Sequence, residues 1–339
     1  MDAFLRTLPA IAQVLLGRLA SVFLAPGSVF SVASLASALI IAAAWVAWPR
    51  WRRGRAVRAR VLARALFPRR LLHGASSRAD FGLFLFNTFP AIVLLGWALL
   101  SARQVGHATA GELTSLFGPA GRPLMGPALG RAVATLSLFL AYELAYWLDH
   151  YLSHRVPALW EFHKVHHTAE VLSPLTVFRV HPVDSLVFAN ITAVVVGVTA
   201  GVLQYLLGAG GSPVALSGNN VILVAFVFLT IHLQHSHLWI SFPGIWGRIF
   251  LSPAHHQIHH SANPAHFNRN FGSCLSVWDW AFGTLQVPSR RREALTFGAG
   301  VRPGAPSPHS VSGVLLEPFG EAARRVASPA RRRGPVASA

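Results

Sequence analysis

Apolar stretches long enough to cross a bilayer constrain this chain more than any other feature of its sequence. We place five of them, at 28–48, 81–100, 129–149, 184–208 and 219–239. A transmembrane helix needs about 20 mostly apolar residues. Hydrophobic residues make up 53% of the 339 and charged residues only 12%, about half the charged share of a soluble domain. We therefore predict an all-α polytopic membrane helix bundle of about four to five spans.

Basic residues predict how this bundle is oriented. The formal net charge is +17, and nine arginines with no acid among them lie between residues 50 and 70. Such a loop beside a span marks the cytoplasmic side and attracts anionic lipid. We therefore predict anionic lipid at the basic loops and no nucleic-acid partner. Residues 1–27 are apolar but interrupted by arginine and proline, which predicts an interfacial helix or a poor extra span.

Histidines at helical spacing form the second constraint. They occur in three sets: His150 with His154; His163, His166 and His167; and His256, His259 and His260. Residues three or four apart share one face of a helix, and neutral imidazole is the commonest metal ligand. Eight imidazoles exceed the three or four protein ligands of a typical zinc site. The sequence therefore predicts a site for two metals; the alternative is scattered surface or hydrogen-bonded core histidine.

Topology brings the three sets together. With the arginine-rich loop in the cytoplasm, the second and third stretches form one hairpin and the fourth and fifth form another. Each set then returns to the cytoplasmic face, as a histidine-rich helical cap on a multi-pass membrane protein. Imidazole alone does not choose among zinc, iron, copper and nickel. Cys274 is the only cysteine, which excludes an intramolecular disulfide and a Cys-ligated iron–sulfur cluster within this chain.

The order of the motifs adds a family resemblance. Residues 141–288 resemble the fatty acid hydroxylase/sterol desaturase superfamily of integral membrane di-iron oxygenases. The matching stretches are DHYLSH at 149–154, WEFHKVHH at 160–167, FRVHP at 178–182, QHS at 234–236, SPAHHQIHHS at 252–261, NFG at 270–272 and VWDWAFGT at 277–284. Two positions depart from the family pattern. His237 stands where the family commonly has asparagine, and His255 adds a histidine before the last motif.

The resemblance implies a ligand set and its cofactors. It assigns metal-ligand roles to His150, His154, His163, His166, His167, His181, His235, His256, His259 and His260. Side chains that could support the ligands are Asp149, His232, His237, His255, Asn270 and Asp279. Glu161 and Asp184 could also orient an imidazole, or instead cap a helix or pair with arginine. His73, His107, His266 and His309 are isolated, which predicts structural or surface roles.

The resemblance also implies a reaction. Two iron ions and molecular oxygen would hydroxylate or desaturate a C–H bond of a lipid, such as a sterol or fatty acyl chain. Electrons would come from an external donor of the ferredoxin, cytochrome b5 or reductase type. Carotenoid hydroxylation and ether-lipid monooxygenation are alternatives on the same scaffold. A rival from another class is a histidine-rich membrane metal transporter, which would favour ligands on broken helices near the bilayer midplane.

These observations predict four regions along the chain. Residues 1–75 hold the N-terminal anchor segment with one span and the basic loop, and residues 76–128 hold a second span and an outer loop. Residues 129–288 form the catalytic domain. Residues 289–339 form a basic tail that we predict to be disordered, because it is rich in proline and arginine and lacks periodicity.

Overall fold

The computed structural model describes residues 13–14, 16–91 and 96–327. The helices, in chain order, are α1 Val32–Trp51, α2 Ala59–Leu66, α3 Arg69–His73, α4 Ala75–Thr88, α5 Ala102–Phe117, α6 Pro127–Arg155, α7 Pro157–His167, α8 Pro182–Leu207, α9 Val221–Phe226, α10 His232–Gln234, α11 Ile245–Ile249, α12 Pro253–His259, α13 Val277–Ala281, α14 Val311–Leu315 and α15 Glu317–Ala327. A π-helical turn, Val227–Ile231, joins α9 to α10. The strands β1 Ala215–Leu216 and β2 Asn219–Asn220 form one antiparallel pair. The predicted all-α class is confirmed.

The chain divides into two compact units. The first comprises Met1–Leu66 and Ala215–Leu233, and the second Phe67–Val214 and Gln234–Ala339. In the first unit, Ser31 caps α1 by accepting a hydrogen bond from the Ser34 amide at 3.1 Å. The Ser37 hydroxyl donates to the Phe228 carbonyl at 2.7 Å, so α1 lies against the π-helical turn.

Three of the described helices are long and apolar enough to span a membrane. They are α1, α6 and α8, and they coincide with the first, third and fourth predicted spans. The second predicted span, 81–100, is not one long helix over its described residues, because α4 ends at Thr88. The fifth corresponds to Val221–Gln234, an apolar helix shorter than these three. The number of spans and their sidedness remain predictions.

Helix α5 lies within the predicted outer loop and was not expected. It packs against α8 where both helices carry small residues. A Cβ added at Gly197 would lie 2.7 Å from the Ala102 carbonyl oxygen, and one at Gly201 would lie 2.5 Å from the Gly106 oxygen. Only glycine permits this close approach. The same small residues made the segment look like a loop in the sequence.

The predicted disordered tail contains two helices in the structure, α14 and α15. Val314 packs with Val165 of α7 and Leu83 of α4, and the Phe319 ring lies 5.2 Å from that of Phe162. The apolar residues of these short helices are too few to show periodicity among the prolines. Helices α14 and α15 are instead stabilised by packing against α7. Residues 328–339 lie outside the described part of the chain.

Candidate metal centre

Nine histidines of the second unit converge into two buried groups. The first histidine group contains His150, His154, His163, His167 and His259, and the second contains His166, His235, His256 and His260. Within each group, the ligand nitrogens all lie within 4.8 Å of one another. Each group therefore has the composition and the spacing of a metal site.

Helix geometry divides the histidine motifs between the two groups. Helix α6 ends at Arg155 and α7 begins two residues later with Pro157 at its first position, where proline needs no hydrogen-bonded amide. His163 and His167 of α7 enter the first group, whereas His166 enters the second. Likewise, His259 enters the first group, and His256 and His260 enter the second. Each HxxHH motif thus serves both groups, a division that the spacing alone did not predict.

The distances between imidazole nitrogens fit a metal ion. In the second group, the Nε2 of His235 lies 3.2 Å from that of His166 and 2.8 Å from that of His256. In the first, the Nε2 of His167 lies 3.1 Å from that of His154 and 3.3 Å from that of His163. Ligands about 2.1 Å from an ion stand about 3.0 to 3.4 Å apart, at octahedral and tetrahedral angles respectively. Three of the four distances fall within this range, and the His235–His256 distance of 2.8 Å is slightly shorter.

Several ring nitrogens need a partner that protein does not supply. Among the described residues, the Nε2 atoms of His150 and His259 are buried and have no hydrogen-bond partner. Leaving such an atom unsatisfied costs about 1–3 kcal/mol. Burial, reinforced by neighbouring histidines, lowers the pKa of His166, His167, His256 and His260 well below the usual value. These rings are therefore held neutral, the form that binds metal, so the residues fit the implied metals.

In three rings of the first group, the second ring nitrogen is oriented by an oxygen atom. The Nδ1 of His150 faces the Phe271 carbonyl at 2.9 Å, and that of His259 faces the Arg269 carbonyl at 2.8 Å. A carbonyl oxygen can only accept, so each Nδ1 carries the proton and each Nε2 presents its lone pair to the group. The Nδ1 of His163 lies 3.1 Å from the Asp184 carboxylate. Of the acids named from sequence, Asp184 therefore contacts a histidine of the first group directly.

Asp279 and Asn270 support the site through the loop that carries Phe271. The Asp279 carboxylate accepts the backbone amides of Phe271 and Gly272, both at 2.8 Å. It also accepts hydrogen bonds from the side chains of Trp147 and Thr284. Asn270, at a φ of +58°, donates to the His255 carbonyl at 3.1 Å. Both residues fix the backbone whose carbonyl oxygen holds His150.

The remaining predicted site histidines lie outside both groups. The Nδ1 of His181 accepts the Val183 amide at the start of α8, and its Nε2 faces the Leu315 carbonyl at 3.3 Å. The Nε2 of His232, in the first unit, lies 3.0 Å from the Ser34 hydroxyl. His255 forms the capping box of α12 with Ser252, and His237 is half-buried.

Two predicted acids differ in their surroundings. Asp149 is buried on α6, and its Oδ1 has no hydrogen-bond partner among the described residues. Glu161 pairs with Lys164 and with Arg325, 2.9 Å away. Of the roles predicted for Glu161, pairing with an arginine is the one found in the structure.

The sequence analysis did not identify the buried Arg179 as a residue that supports the site. Arg179, in the FRVHP stretch, is completely buried and pairs with Asp80 of α4 at 2.8 Å. It also donates to the Val165 carbonyl and lies 2.8 Å from the Nδ1 of His309. The sequence context of His309 suggested an isolated residue, whereas the structure places it against Arg179. The Arg179 carbonyl in turn faces the Nδ1 of His166 at 3.3 Å, so this ion pair supports the second histidine group.

Comparison with known families adds independent evidence. The family model described as fatty acid hydroxylase matches residues 135–284, which contain all nine histidines of the two groups. Over these residues, a little under half of the chain, the sequence is similar to the fatty acid hydroxylase family. The matched residues run from the middle of α6 to the Thr284 that contacts Asp279.

The curated relatives that this region matches are named as a lipid hydroxylase and a monooxygenase. Ornithine lipid hydroxylase OlsE of Rhizobium tropici is 33% identical over 133 residues, covering 39% of this chain and 36% of that protein. Alkylglycerol monooxygenase of Danio rerio is 27% identical over 139 residues, covering 39% of this chain and 26% of that protein. The chain therefore spans about a third or less of these relatives. No solved structure matches.

Proposed function

We propose that this protein is a membrane-bound lipid hydroxylase with two iron ions held by the nine grouped histidines. The observation that carries the proposal is the convergence of these histidines into two adjoining buried groups. The family match covers both groups, and the relatives are named as a lipid hydroxylase and a monooxygenase. When bound, iron supplies the activation of molecular oxygen, which imidazole ligands permit.

The chain's own residues would bind, orient and enclose the metals. The imidazoles of α6, α7 and α12, with His235 and His260, would supply the ligand atoms. Asp184 and the Phe271 and Arg269 carbonyls would orient His163, His150 and His259 respectively. Helix packing excludes bulk water, because every histidine of the two groups is buried. A pocket that His154, His167, His259 and His260 line with Trp160 gives access to the groups.

Hydroxylation is the reaction that the relatives favour. Desaturation of a lipid, carotenoid hydroxylation and ether-lipid cleavage are retained as alternatives, since each begins with attack on a C–H bond. Molecular oxygen is the co-substrate of the proposal, and an external protein supplies the electrons. Metal transport is disfavoured because each group is enclosed by protein, with its ligand atoms close together in one buried shell.

Membrane attachment is part of the proposal. Three helices long and apolar enough to span support a multi-pass protein. The arginine-rich stretch at 50–70 supports a cytoplasmic position for the end of α1 that precedes it. We further propose that the predicted stretch 81–100 also crosses the bilayer, so that α6 ends in the cytoplasm and the histidine groups lie where a soluble electron donor can reach them.

The test compares lipids from cells that make the wild-type chain with those from cells that make His259→Ala. Both cultures receive heavy oxygen gas, and the lipid extracts are compared by mass spectrometry. The proposal predicts a lipid carrying one labelled oxygen atom in the wild-type extract alone. Label in neither extract, with both proteins folded and iron supplied, contradicts hydroxylation. A lipid that loses two hydrogens without gaining label identifies desaturation instead.

A further inference from the structure

An acid in the middle of a candidate span requires an explanation. Glu143 lies within α6 and is completely buried. Its Oε2 accepts the backbone amides of Cys274 at 2.9 Å and Leu275 at 2.7 Å. A carboxylate at membrane depth faces protein and usually has a defined partner. Here the partner is the backbone of the loop 273–276, which belongs to a segment predicted to be polar and outside the bilayer.

The hydrogen bonds of Glu143 fix the depth of this loop. Glu143 precedes His150 by seven residues, so the loop lies about 10 Å nearer the N-terminus of α6 than the first histidine group does. Two short helices are attached to the loop at this level. The Leu251 amide donates to the Cys274 carbonyl, and the Ser276 amide donates to the Ile249 carbonyl, both at 2.9 Å. Helices α11 and α13 therefore lie beside the span rather than beyond its end.

The outer surface of these helices is aromatic. We define the aromatic surface as Ile245, Trp246, Phe250, Trp280 and Phe282, whose side chains are between 42% and 61% exposed. The surface continues onto the span, because the Phe282 ring stacks on that of Trp147 at 4.4 Å. The Arg248 guanidinium lies 5.7 Å from the centre of the Trp280 ring. Tryptophan with a snorkelling arginine is the composition of a membrane interface.

We propose that α11, the loop 273–276 and α13 form an element immersed in the lipid leaflet beside α6, with the aromatic surface facing lipid. Irregular backbone at that depth is tolerated only where its polar groups are satisfied by protein. Glu143 does this for two amides of the loop, which explains an acid within the span. We assign lipid rather than another protein to this surface, because it is continuous with α6, a helix long and apolar enough to span a membrane.

This element also places the last histidine motif. Helix α12, which carries His256 and His259 and is followed directly by His260, begins two residues after Leu251. A leaflet-immersed anchor on one side of α12 would hold both histidine groups beside the lipid from which a substrate must come. The immersion of this element follows from the Glu143 hydrogen bonds and from the exposure of the aromatic surface, and it does not depend on the reaction.

Spin labelling tests the immersion directly. Cys274 is the only cysteine and is buried, so a Cys274→Ser background allows single labels at Trp246→Cys and Trp280→Cys. The control label is at Arg302→Cys, an exposed position on the segment that precedes α14. Collision with oxygen, which concentrates in lipid, is compared with collision with a water-soluble nickel chelate in bilayer nanodiscs of mixed neutral and anionic phospholipid.

We expect labels at 246 and 280 to favour oxygen and the label at 302 to favour nickel. Nickel access at both 246 and 280 overturns the proposal. Dipolar broadening between labels on two copies also overturns it, because the surface would then be a protein interface. Each labelled variant must show the wild-type circular dichroism spectrum and elution volume before its accessibility is interpreted.

Glu143 provides a second, independent arm. Glu143→Gln keeps a carbonyl oxygen for the two amides, whereas Glu143→Leu removes the acceptor. With the label at 280, we expect Glu143→Gln to retain the preference for oxygen and Glu143→Leu to reduce it several-fold as the element detaches. An unchanged preference in a folded Glu143→Leu protein overturns the anchoring role. Should Glu143→Leu fail to fold, the labels in the wild-type background still decide the immersion.

Discussion

Removal of the Arg179 guanidinium should destabilise the protein more than loss of any exposed ion pair. In Arg179→Met, the Asp80 carboxylate stays buried and keeps only the Thr176 hydroxyl, 2.8 Å away, among its side-chain partners. The Ser76, Val165 and Pro308 carbonyls lose a donor as well. Breaking a fully buried pair costs about 3–5 kcal/mol. This loss is comparable with much of the stability of a typical domain, about 5–15 kcal/mol.

The assay is a double-mutant cycle with Asp80→Leu, measured by denaturant unfolding in detergent micelles. Each single variant leaves one buried charge without its partner, and the double variant leaves none. We therefore expect the double variant to lose less stability than the sum of the singles, by about 3 kcal/mol or more. The matched control is Arg302→Met, which removes exposed pairs with Glu317 and Glu321 and should cost about 0–1 kcal/mol. Additive single effects would refute the reasoning.

Three further outcomes follow from the site. Asp184→Asn should weaken metal binding by about 10–100-fold in a metal titration, because His163 loses its orienting carboxylate. The control Glu170→Gln, on the exposed surface, should bind metal as the wild type does. Equal affinities for the two variants would show that Asp184 does not orient His163. His235→Ala should lose the metal of the second group, whereas His181→Ala should retain both metals. Elemental analysis of the two purified variants measures this, and the reverse result would identify His181 as a ligand. Burial lowers the pKa of His259 from 6.5 to about 3, so the unfolded state binds the proton preferentially within that window. The metal-free protein should therefore lose stability as the pH falls from 6.5 towards 3, and flat stability in denaturant unfolding would contradict the burial argument.

Hydropathy and histidine spacing predicted different parts of this structure. Long apolar runs predicted α1, α6 and α8, because each is continuous and nearly free of charge. The same reasoning missed α5, because the stretch 101–128 is rich in glycine and proline, and its packing against Gly197 and Gly201 of α8 is visible only in the structure. It also missed the order of α14 and α15, which depends on contacts with α7 far away in sequence.

For the site, spacing predicted which histidines share a helix but not how the helices meet. An i, i+3, i+4 set looks like one face, yet His166 enters one group and His167 the other. The partner of Arg179 lies 99 residues earlier in the chain, and no local pattern connects them. The roles of His181 and His235 came from the resemblance alone, and the structure brings only His235 into a group.

The metal content of the purified protein tests the central claim most directly. Protein prepared in bilayer nanodiscs with iron supplied is measured by elemental analysis, and the ligand shell is examined by X-ray absorption. The account predicts close to two metals per chain, mainly iron, with nitrogen ligands at imidazole distances. Zinc in the same number would still support two sites, because zinc also accepts imidazole. One metal or none per folded chain would contradict the two-group site.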